Sequence, residues 1–542
     1  MVEFGSRVRD AVRKPLILLE SGNILRRAGL LRVSRPHEAV RSLLDVRRWG
    51  PFAGAIRIGA RRDPDEIGLV DEIGALTYQQ LDRRSNAIAR AWQERGLGPT
   101  DVVGLLCRNH RGFLDTMFAC AKIGAQVVLL NTGFGAHQLA EVGRREGISA
   151  LVYDQEFNPI VAPAPASVAR YLAWVDVPGA VDVPTLEELI AGTDQSDVPA
   201  PRAFGGMVLL TSGTTGTPKG AARRVRTPMV AAEFLDRIPY RRNEATLIAA
   251  PLFHATGVSQ MSMTLVLGSA VVLARRFDPA SALSRIHHYR CTGVVLIPTM
   301  LQRILDLGEY VIRKYDTSSL RILLCAGSAL PPELGSRATA VFGHVIYNLY
   351  GSTEVAVATI ATPLDWRRAP GTVGKPPVGC RVRLYDADGN RVRKPYQQGR
   401  IFVGSGLKFG GYTSGGGKEE IQGLLASGDI GHVDRDGLLF VDGRADDMII
   451  SGGENVYPGE IENLLFEHPA VYDAAVVGVP DHDFGQRLKA YVVLRPGAWV
   501  EPTDLQGFVR GHLARFKVPR EVVYVRDLPR NPTGKLLRHL LQ

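Results

Sequence analysis

Residues 207–220 read Met207-Val208-Leu209-Leu210-Thr211-Ser212-Gly213-Thr214-Thr215-Gly216-Thr217-Pro218-Lys219-Gly220. Four apolar residues, enough for a short buried strand, run directly into a loop dominated by Gly, Ser and Thr. A strand emptying into such a loop presents backbone N–H groups and hydroxyls to phosphate oxygens. The loop is not a Walker A sequence, because the spacing from Gly213 to Lys219 does not satisfy GxxxxGK[ST] and neither Ser nor Thr follows the lysine. Kinase and motor-ATPase readings lose support accordingly. A plain surface turn is a poor account of so many such residues directly behind an apolar strand.

Around this stretch the grammar is that of an α/β protein. Thr77-Tyr78-Gln79-Gln80 reads as a capping box, followed at helical spacing by Leu81, Ile88, Ala89 and Trp92 until Gly96. Val102–Leu106 reads as a strand, Phe113–Ile123 as a helix and Val127–Leu130 as a second strand. The alternation returns around Ile286–Tyr289, Val294–Ile297 and Ile322–Leu324, with Pro331-Pro332 opening a helix. Ile160 to Pro201 is dense in Pro and Ala and reads as loop-rich. Past about Gly443 the pattern becomes a smaller α+β unit, with strands near Ala474–Val477 and Ala490–Leu494 and a helix-rich tail. The expected fold is therefore α/β: a large multi-sheet N-terminal domain and a smaller, mobile α+β C-terminal domain. The expected boundaries are a basic extension over 1–62, the large domain over 63–445 and the small one over 446–542.

With 542 residues, 45% of them hydrophobic and 22% charged, the chain has the composition of a folded multidomain protein and not of a disordered one. The five cysteines form no CxxC pair and no zinc-like spacing, which suits a reducing cytosol. No run approaches the length of a membrane span and no secretory leader is visible, so a membrane-spanning transporter is excluded as a reading. The net charge of +10 is concentrated at one end: residues 1–62 hold fourteen Lys and Arg against five Asp and Glu, a net +9. With Leu16-Ile17-Leu18-Leu19 and Leu30-Leu31 beside them, these arginines have two readings. One is peripheral contact with an anionic leaflet at the inner face of the membrane; the other is a solvated extension packed on the body. Nucleic acid is not an expected partner, because no binding motif accompanies the charge. Nothing in the sequence specifies an oligomeric state.

Further motifs follow in order: Tyr350-Gly351-Ser352-Thr353-Glu354, Ser427-Gly428-Asp429, Gly443-Arg444-Ala445-Asp446-Asp447 and Asn531-Pro532-Thr533-Gly534-Lys535. Together with the loop at 211–220, their order and spacing resemble the adenylate-forming superfamily of acyl-CoA synthetases, peptide-synthetase adenylation domains and firefly luciferase. The resemblance runs from about residue 60 to 540. It implies activation of a carboxylic acid by ATP and Mg²⁺ as an acyl-adenylate, followed by transfer to coenzyme A.

Such chemistry brings one anion onto the α-phosphorus of another, so cations and oriented donors are required where charge builds up. Glu354 is the candidate carboxylate for Mg²⁺, with Thr214 beside it. Thr214 and Thr353 are expected to donate to phosphate oxygens, and Lys219 to act with them. Thr211, Ser212, Gly213, Thr215 and Gly216 complete the nucleotide loop. Tyr350 and Gly351 offer a face for adenine. The resemblance further assigns Asp429 to the ribose hydroxyls, Arg444 to the ribose and α-phosphate, and Gly327-Ser328-Ala329 to the adenine pocket. It makes Lys535 the mobile catalytic cation and Asp446 the hinge of a domain movement that alternates the two half-reactions. Gly452-Gly453, lacking side chains, would let backbone approach the pantetheine arm of CoA.

For the acid, Pro251-Leu252-Phe253-His254 matches the family's aromatic motif, and His254 to Leu267 contains no Asp, Glu, Lys or Arg. An amino-acid substrate would need a carboxylate for its ammonium. His254, Gly257, Met261 and Val355 are the expected pocket residues, and Gly257, Ala255, Val258, Met261 and Met263 suggest an adaptable apolar lining suited to an alkyl chain. The segment from Lys408 to Gly417, rich in glycine, departs from the family pattern. The sequence thus points to a cytoplasmic medium- or long-chain fatty-acid:CoA ligase. The alternatives are a fatty-acyl-AMP ligase that loads a carrier protein and, in another class, a non-catalytic lipid-binding scaffold.

Overall fold

The computed structural model describes residues 2–541 apart from 31–35, 178, 180–181, 212–217, 224–229, 407–408, 452–453, 482–484 and 533. Two largely parallel sheets form the centre of the large domain. One has eight strands, in the order Ala356–Ala361, Ile346–Ser352, Ile322–Cys325, Gly293–Leu296, Ala245–Ile248, Ala270–Val272, Ile67–Val70 and Ala75–Thr77. Its interior pairs are parallel and its two edge pairs antiparallel. The other has six strands, from Ala169–Trp174 through Ala150–Asp154, Val102–Leu106 and Gln126–Leu129 to β1 (Met207–Thr211) and β2 (Lys219–Arg223). Continuous apolar runs such as Val102–Leu106 are what a parallel strand covered on both faces requires.

Four helices matter most for the site or its support: α1 (Val2–Arg27), α2 (Pro36–Arg62), α3 (Tyr78–Glu94) and α4 (Arg111–Ile123). The capping box forms as the sequence predicts: Thr77 Oγ1 accepts from Gln80 N at 3.2 Å and Gln80 Oε1 accepts from Thr77 N at 2.8 Å. Leu81, Ile88, Ala89 and Trp92 are fully buried beneath it. The basic N-terminal segment is helical, and α2 bends at Gly50, where φ is 76° and Pro51 follows. Its second half is core: Ala53 and Ile56 are buried together with residues of α3 and α4.

Helix α5 (Ala255–Val266) follows the aromatic motif, and α6 (Pro298–Leu305) follows the strand ending at Leu296. An antiparallel sheet over residues 381–444 contains β3 (Leu424–Val433) and β4 (Leu439–Arg444). Beyond it a five-stranded sheet between Ile449 and Tyr524 has its own core of Ile449, Ile461, Val476, Leu488, Val492 and Leu505. Two local expectations need correction. The tail is not helix-rich: after Pro502–His512 it holds a strand, Glu521–Tyr524, and only single turns of 3-10 helix. The Pro- and Ala-dense stretch also contains strand Ala169–Trp174 and helix Leu186–Gly192, because the sheet edge and Thr185's capping box override the local breakers. Among the described residues no helix is long and apolar enough to cross a membrane, and all five cysteines are buried and unpaired.

Candidate active site

A cavity of about 2080 Å³ opens where the large sheets meet the C-terminal unit. Three hairpin-like devices aim side chains into it. The first is β1–β2, whose register sets Thr211 opposite Lys219, so the two residues bracket the nucleotide loop. The second is the turn between Ile346–Ser352 and Ala356–Ala361. Gly351 is required there, since a Cβ would lie 1.8 Å from the Ala356 carbonyl oxygen. Ser352 Oγ donates to Glu354 Oε2 at 2.9 Å and accepts from the Glu354 and Val355 amides, which fixes the carboxylate at the cavity wall. The third is β3–β4, which pairs Asp429 with Arg444 across the strands.

These devices converge. Tyr350 donates its hydroxyl to Asp429 Oδ2 at 2.5 Å, and Arg444 Nη1 lies 3.5 Å from Asp429 Oδ1. Burial pushes the Asp429 carboxyl up, against the pull of Tyr350 and Arg444. It pushes the Tyr350 phenol up as well, reinforced by the neighbouring Asp429. A carboxylate held by a strong donor and by the nearby cations Arg444 and Lys535 is a site that can exchange those partners for two ligand hydroxyls. Lys535 reaches the same cavity from the C-terminal unit. Its turn is closed by Lys535 N donating to Asn531 Oδ1 and by Arg530 Nη1 donating to the Gly534 carbonyl. Gly534, with φ 75°, sits against Thr299 of α6, where a Cβ would come within 2.9 Å of the threonine hydroxyl. Burial and then Arg444 push the Lys535 ammonium below lysine's usual range, while Asp447, Asp429 and Glu354 support its charge.

Gly327, Ser328, Ala329 and Thr353 also line the cavity, as does Lys219. Ser212, Gly213, Thr214, Thr215 and Gly216 lie outside the described residues, as do Gly452 and Gly453. Asp446 lies at the end of β4, its exposed side chain accepting from Arg444 at 3.3 Å. Of the four residues expected at the acyl pocket, one lies on the cavity wall. His254 lines the cavity, and burial pulls its ring down to about 3, so it is neutral. Gly257, Met261 and Val355 do not line it. On α5 the cavity side carries Ala255, Ser259, Ser262 and Val266. At about 100° per residue, Gly257 and Met261 point the other way. A Cβ on Gly257 would lie 2.2 Å from the Pro251 carbonyl oxygen, and Met261 is fully buried. Val355 packs in the core between Ala358, Leu384 and Ile401.

Tyr412 was missed by sequence reasoning. Its hydroxyl donates to Glu354 Oε1 at 2.9 Å, and Lys219 Nζ lies 5.3 Å from its ring centroid, so it joins the nucleotide loop to the metal-carboxylate candidate. Only its place in the glycine-rich 408–417 segment marked it out. The wall contributed by α2 was also missed, because the basic charge of residues 1–62 does not say which face packs on the body. For ATP and Mg²⁺ the residues fit. Glu354 is a hard oxygen donor at the wall, and Lys219, Arg444 and Lys535 supply the positive charge a triphosphate needs.

Residues 56–413 match the family model described as AMP-binding enzyme, and residues 460–535 match that of the AMP-binding enzyme C-terminal domain. The chain belongs to the AMP-binding enzyme family. Among relatives, it is 35% identical over 502 residues to a feruloyl-CoA synthase of Amycolatopsis sp, covering 91% of this chain and 96% of that one. It is 32% identical to the fatty acid–[acyl-carrier-protein] ligase ScoC of Streptomyces coeruleorubidus, covering 89% and 94%. Its structure is similar to that of o-succinylbenzoate coenzyme A synthetase (MenE) from Bacillus subtilis in complex with ATP and magnesium ion. The TM-score is 0.78 at 28% identity, over 90% of this chain and 98% of that one. This AMP-binding enzyme is an AMP-forming acid–thiol ligase that works through an acyl- or aryl-adenylate, with ATP and Mg²⁺ as cofactors and coenzyme A as co-substrate.

Proposed function

We propose that the acid is a medium- or long-chain fatty acid and that the enzyme is a fatty-acid:CoA ligase. The observation that carries this reading is the length and character of the cavity beyond His254. It continues along the whole of α5, roughly 18 Å of helix, past Val258, Met263 and Val266, and on to Phe204, Phe52 and Leu43. In the part walled by α2 and α5, no described lining residue is a carboxylate. A cleft of this depth rewards a long alkyl chain by burying it, at about 0.8 kcal/mol per CH₂.

In the first half-reaction a carboxylate oxygen attacks the α-phosphorus, and the bond to pyrophosphate breaks. Lys535 neutralises charge between the carboxylate and the α-phosphate, and Lys219 and Thr353 hold the departing phosphates. Asp429 holds the ribose, and Tyr350, Gly351 and residues 327–329 hold the adenine. Glu354 would hold Mg²⁺, which when bound offsets phosphate charge. In the second half-reaction the CoA sulfur attacks the acyl carbon and the bond to AMP breaks, with the thiol proton released. The C-terminal unit, residues 446–542, turns about Asp446 between the two, and the preceding divisions, 1–62 and 63–445, are joined through the buried second half of α2. The exposed Asp446 side chain, bonded to Arg444 at 3.3 Å, supports the hinge role.

Pyrophosphate release across acids of rising chain length and across aryl acids, each with and without CoA, tests the reading. CoA-dependent turnover that favours the longer alkyl acids is the expected result, and a preference for aryl acids refutes it. A second reading, loading of a carrier protein, is favoured by the similarity to ScoC; it predicts acyl-AMP accumulation that CoA does not relieve.

A further inference from the structure

The largest concentration of exposed apolar side chains lies on α1 and α2. Leu16, Leu18 and Leu19 are 58%, 58% and 73% exposed, and Val40, Leu43 and Leu44 are 57%, 55% and 55% exposed. Six of the seventeen exposed large hydrophobic residues in the described chain thus fall within residues 16–44. Exposed apolar groups this dense, one set on each of two helices, mark an interaction site. On α2, at about 100° per residue, Val40, Leu43, Leu44 and Arg47 share one face, and Arg41 and Arg48 run along its edge. All three arginines are exposed. Of the acidic groups nearby, Asp45 is bonded to Arg61 at 2.8 Å and Glu38, about 160° round the helix from Val40, lies off this face, while Glu20 is exposed beside Leu19 on α1.

The cavity reaches this same face. Val40, Leu43 and Arg47 line it while being exposed, and so does Phe204, which is 50% exposed and packs beside Gly50. Leu25, about two turns beyond the exposed leucines of α1, and Leu30, in the turn after that helix, line it as well. A residue that both lines a cavity and meets solvent marks a mouth. This mouth lies on the α2 side, apart from the end held by Glu354, Asp429 and Lys535.

We propose that α1 and α2 form a docking surface for an anionic lipid bilayer, and that the cavity has a second, lipid-facing mouth there, ringed by Val40, Leu43, Arg47 and Phe204. The leucines enter the acyl boundary and the arginines meet anionic headgroups, the pattern of an interfacial amphipathic helix. The occupant is a lipid surface because the exposed face of α2 sets Val40, Leu43 and Leu44 beside Arg41, Arg47 and Arg48, which complements an anionic bilayer. A fatty acid dissolved in that bilayer can then enter tail-side without crossing water; this part alone rests on the fatty-acid reading above.

The test is flotation of the full-length protein with vesicles of phosphatidylcholine alone or with phosphatidylglycerol added, with no substrate present. The protein floats with the anionic vesicles and not with the neutral ones. The Leu16→Ser, Leu18→Ser, Leu19→Ser, Leu44→Ser variant, none of whose positions lines the cavity, floats at least tenfold less. Arg41→Gln with Arg48→Gln weakens binding about 25-fold, from roughly fivefold per basic side chain. Both variants keep wild-type thermal unfolding and turnover on a short, water-soluble acid. The proposal is overturned if the wild type stays with the unbound fraction on both vesicles, or if the variants float as it does. It is likewise overturned if the wild type sediments as a dimer that the leucine variant dissolves and binds no lipid, which would assign the patch to a second copy of the chain. Because flotation needs no turnover, a wrong acid and a wrong docking surface give different results.

Discussion

Replacing Lys535 by Ala should separate the two half-reactions. The ammonium sits among Arg444, Asp447, Asp429 and Glu354 in the cavity, on a turn pressed against Thr299. In adenylation two anions approach one another, and a fixed cation in a partly dry site counts for more than in water. Loss of one such preorganised group costs about 10²–10³ in rate, or roughly 3–4 kcal/mol. Attack of a thiol on the uncharged acyl carbon brings no second anion to that point, so it should change by less than about threefold, within the range of indirect effects. ATP–pyrophosphate exchange measures the first step, and transfer from synthetic acyl-AMP to CoA measures the second. The pH dependence adds a sign. Burial and Arg444 lower the Lys535 pKa, so the charged form disappears at lower pH than for an exposed lysine, and adenylation should fall on its alkaline side. Lys535→Arg keeps its charge there and should remove that fall. Equal losses in both half-reactions, or an alkaline fall that survives in Lys535→Arg, would refute the reasoning.

Asp429→Asn should raise the KM for ATP by about 10- to 100-fold, the cost of weakening a charge-assisted hydrogen bond to ligand, while leaving the KM for CoA unchanged in steady-state assays. Val266→Trp, at the far end of the cavity face of α5, should cut kcat/KM for long acids by tenfold or more and spare short ones, as measured on a chain-length series; by size alone, a missing methylene changes discrimination by about 1–3 kcal/mol. Lys122, fully buried between α3 and α4, donates to the Asp82 carbonyl and carboxylate, Ser85 and Asn86. Lys122→Met should cost about 3 kcal/mol of stability, since it leaves the Asp82 carboxylate only Arg57, at 3.8 Å, among the described cations, read as a lowered denaturation midpoint with KM values unchanged. Burial pulls Lys122 down to about 8, so the unfolded chain binds more protons between about pH 8 and lysine's ordinary value. Wild-type stability should therefore rise with pH over that window, and the variant should lose this contribution.

The parts of the protein legible in its sequence are those governed by near neighbours. The apolar strand at 207–210, the Thr77–Gln80 capping box and the Pro-led helix after residue 331 each form because a few adjacent side chains satisfy or deny local backbone bonds. Resemblance then supplied the order of motifs, and Glu354, Asp429, Arg444 and Lys535 do meet in one cavity. Tertiary structure alone decided what those groups touch. Lys535 reaches Asp429 across more than a hundred residues, and Tyr412 closes on Glu354 from a segment whose glycines carry no directional information. It also decided which side of α5 faces the acid. Composition makes every residue from Ala255 to Val266 an equal candidate, but a helix shows a cavity only one face, and the sheet took Gly257 and Met261. The same limit hid α2. An arginine-rich amphipathic segment reads alike whether it is solvated, lies on lipid or walls a cavity, because periodicity fixes which residues share a face and only packing fixes what that face meets.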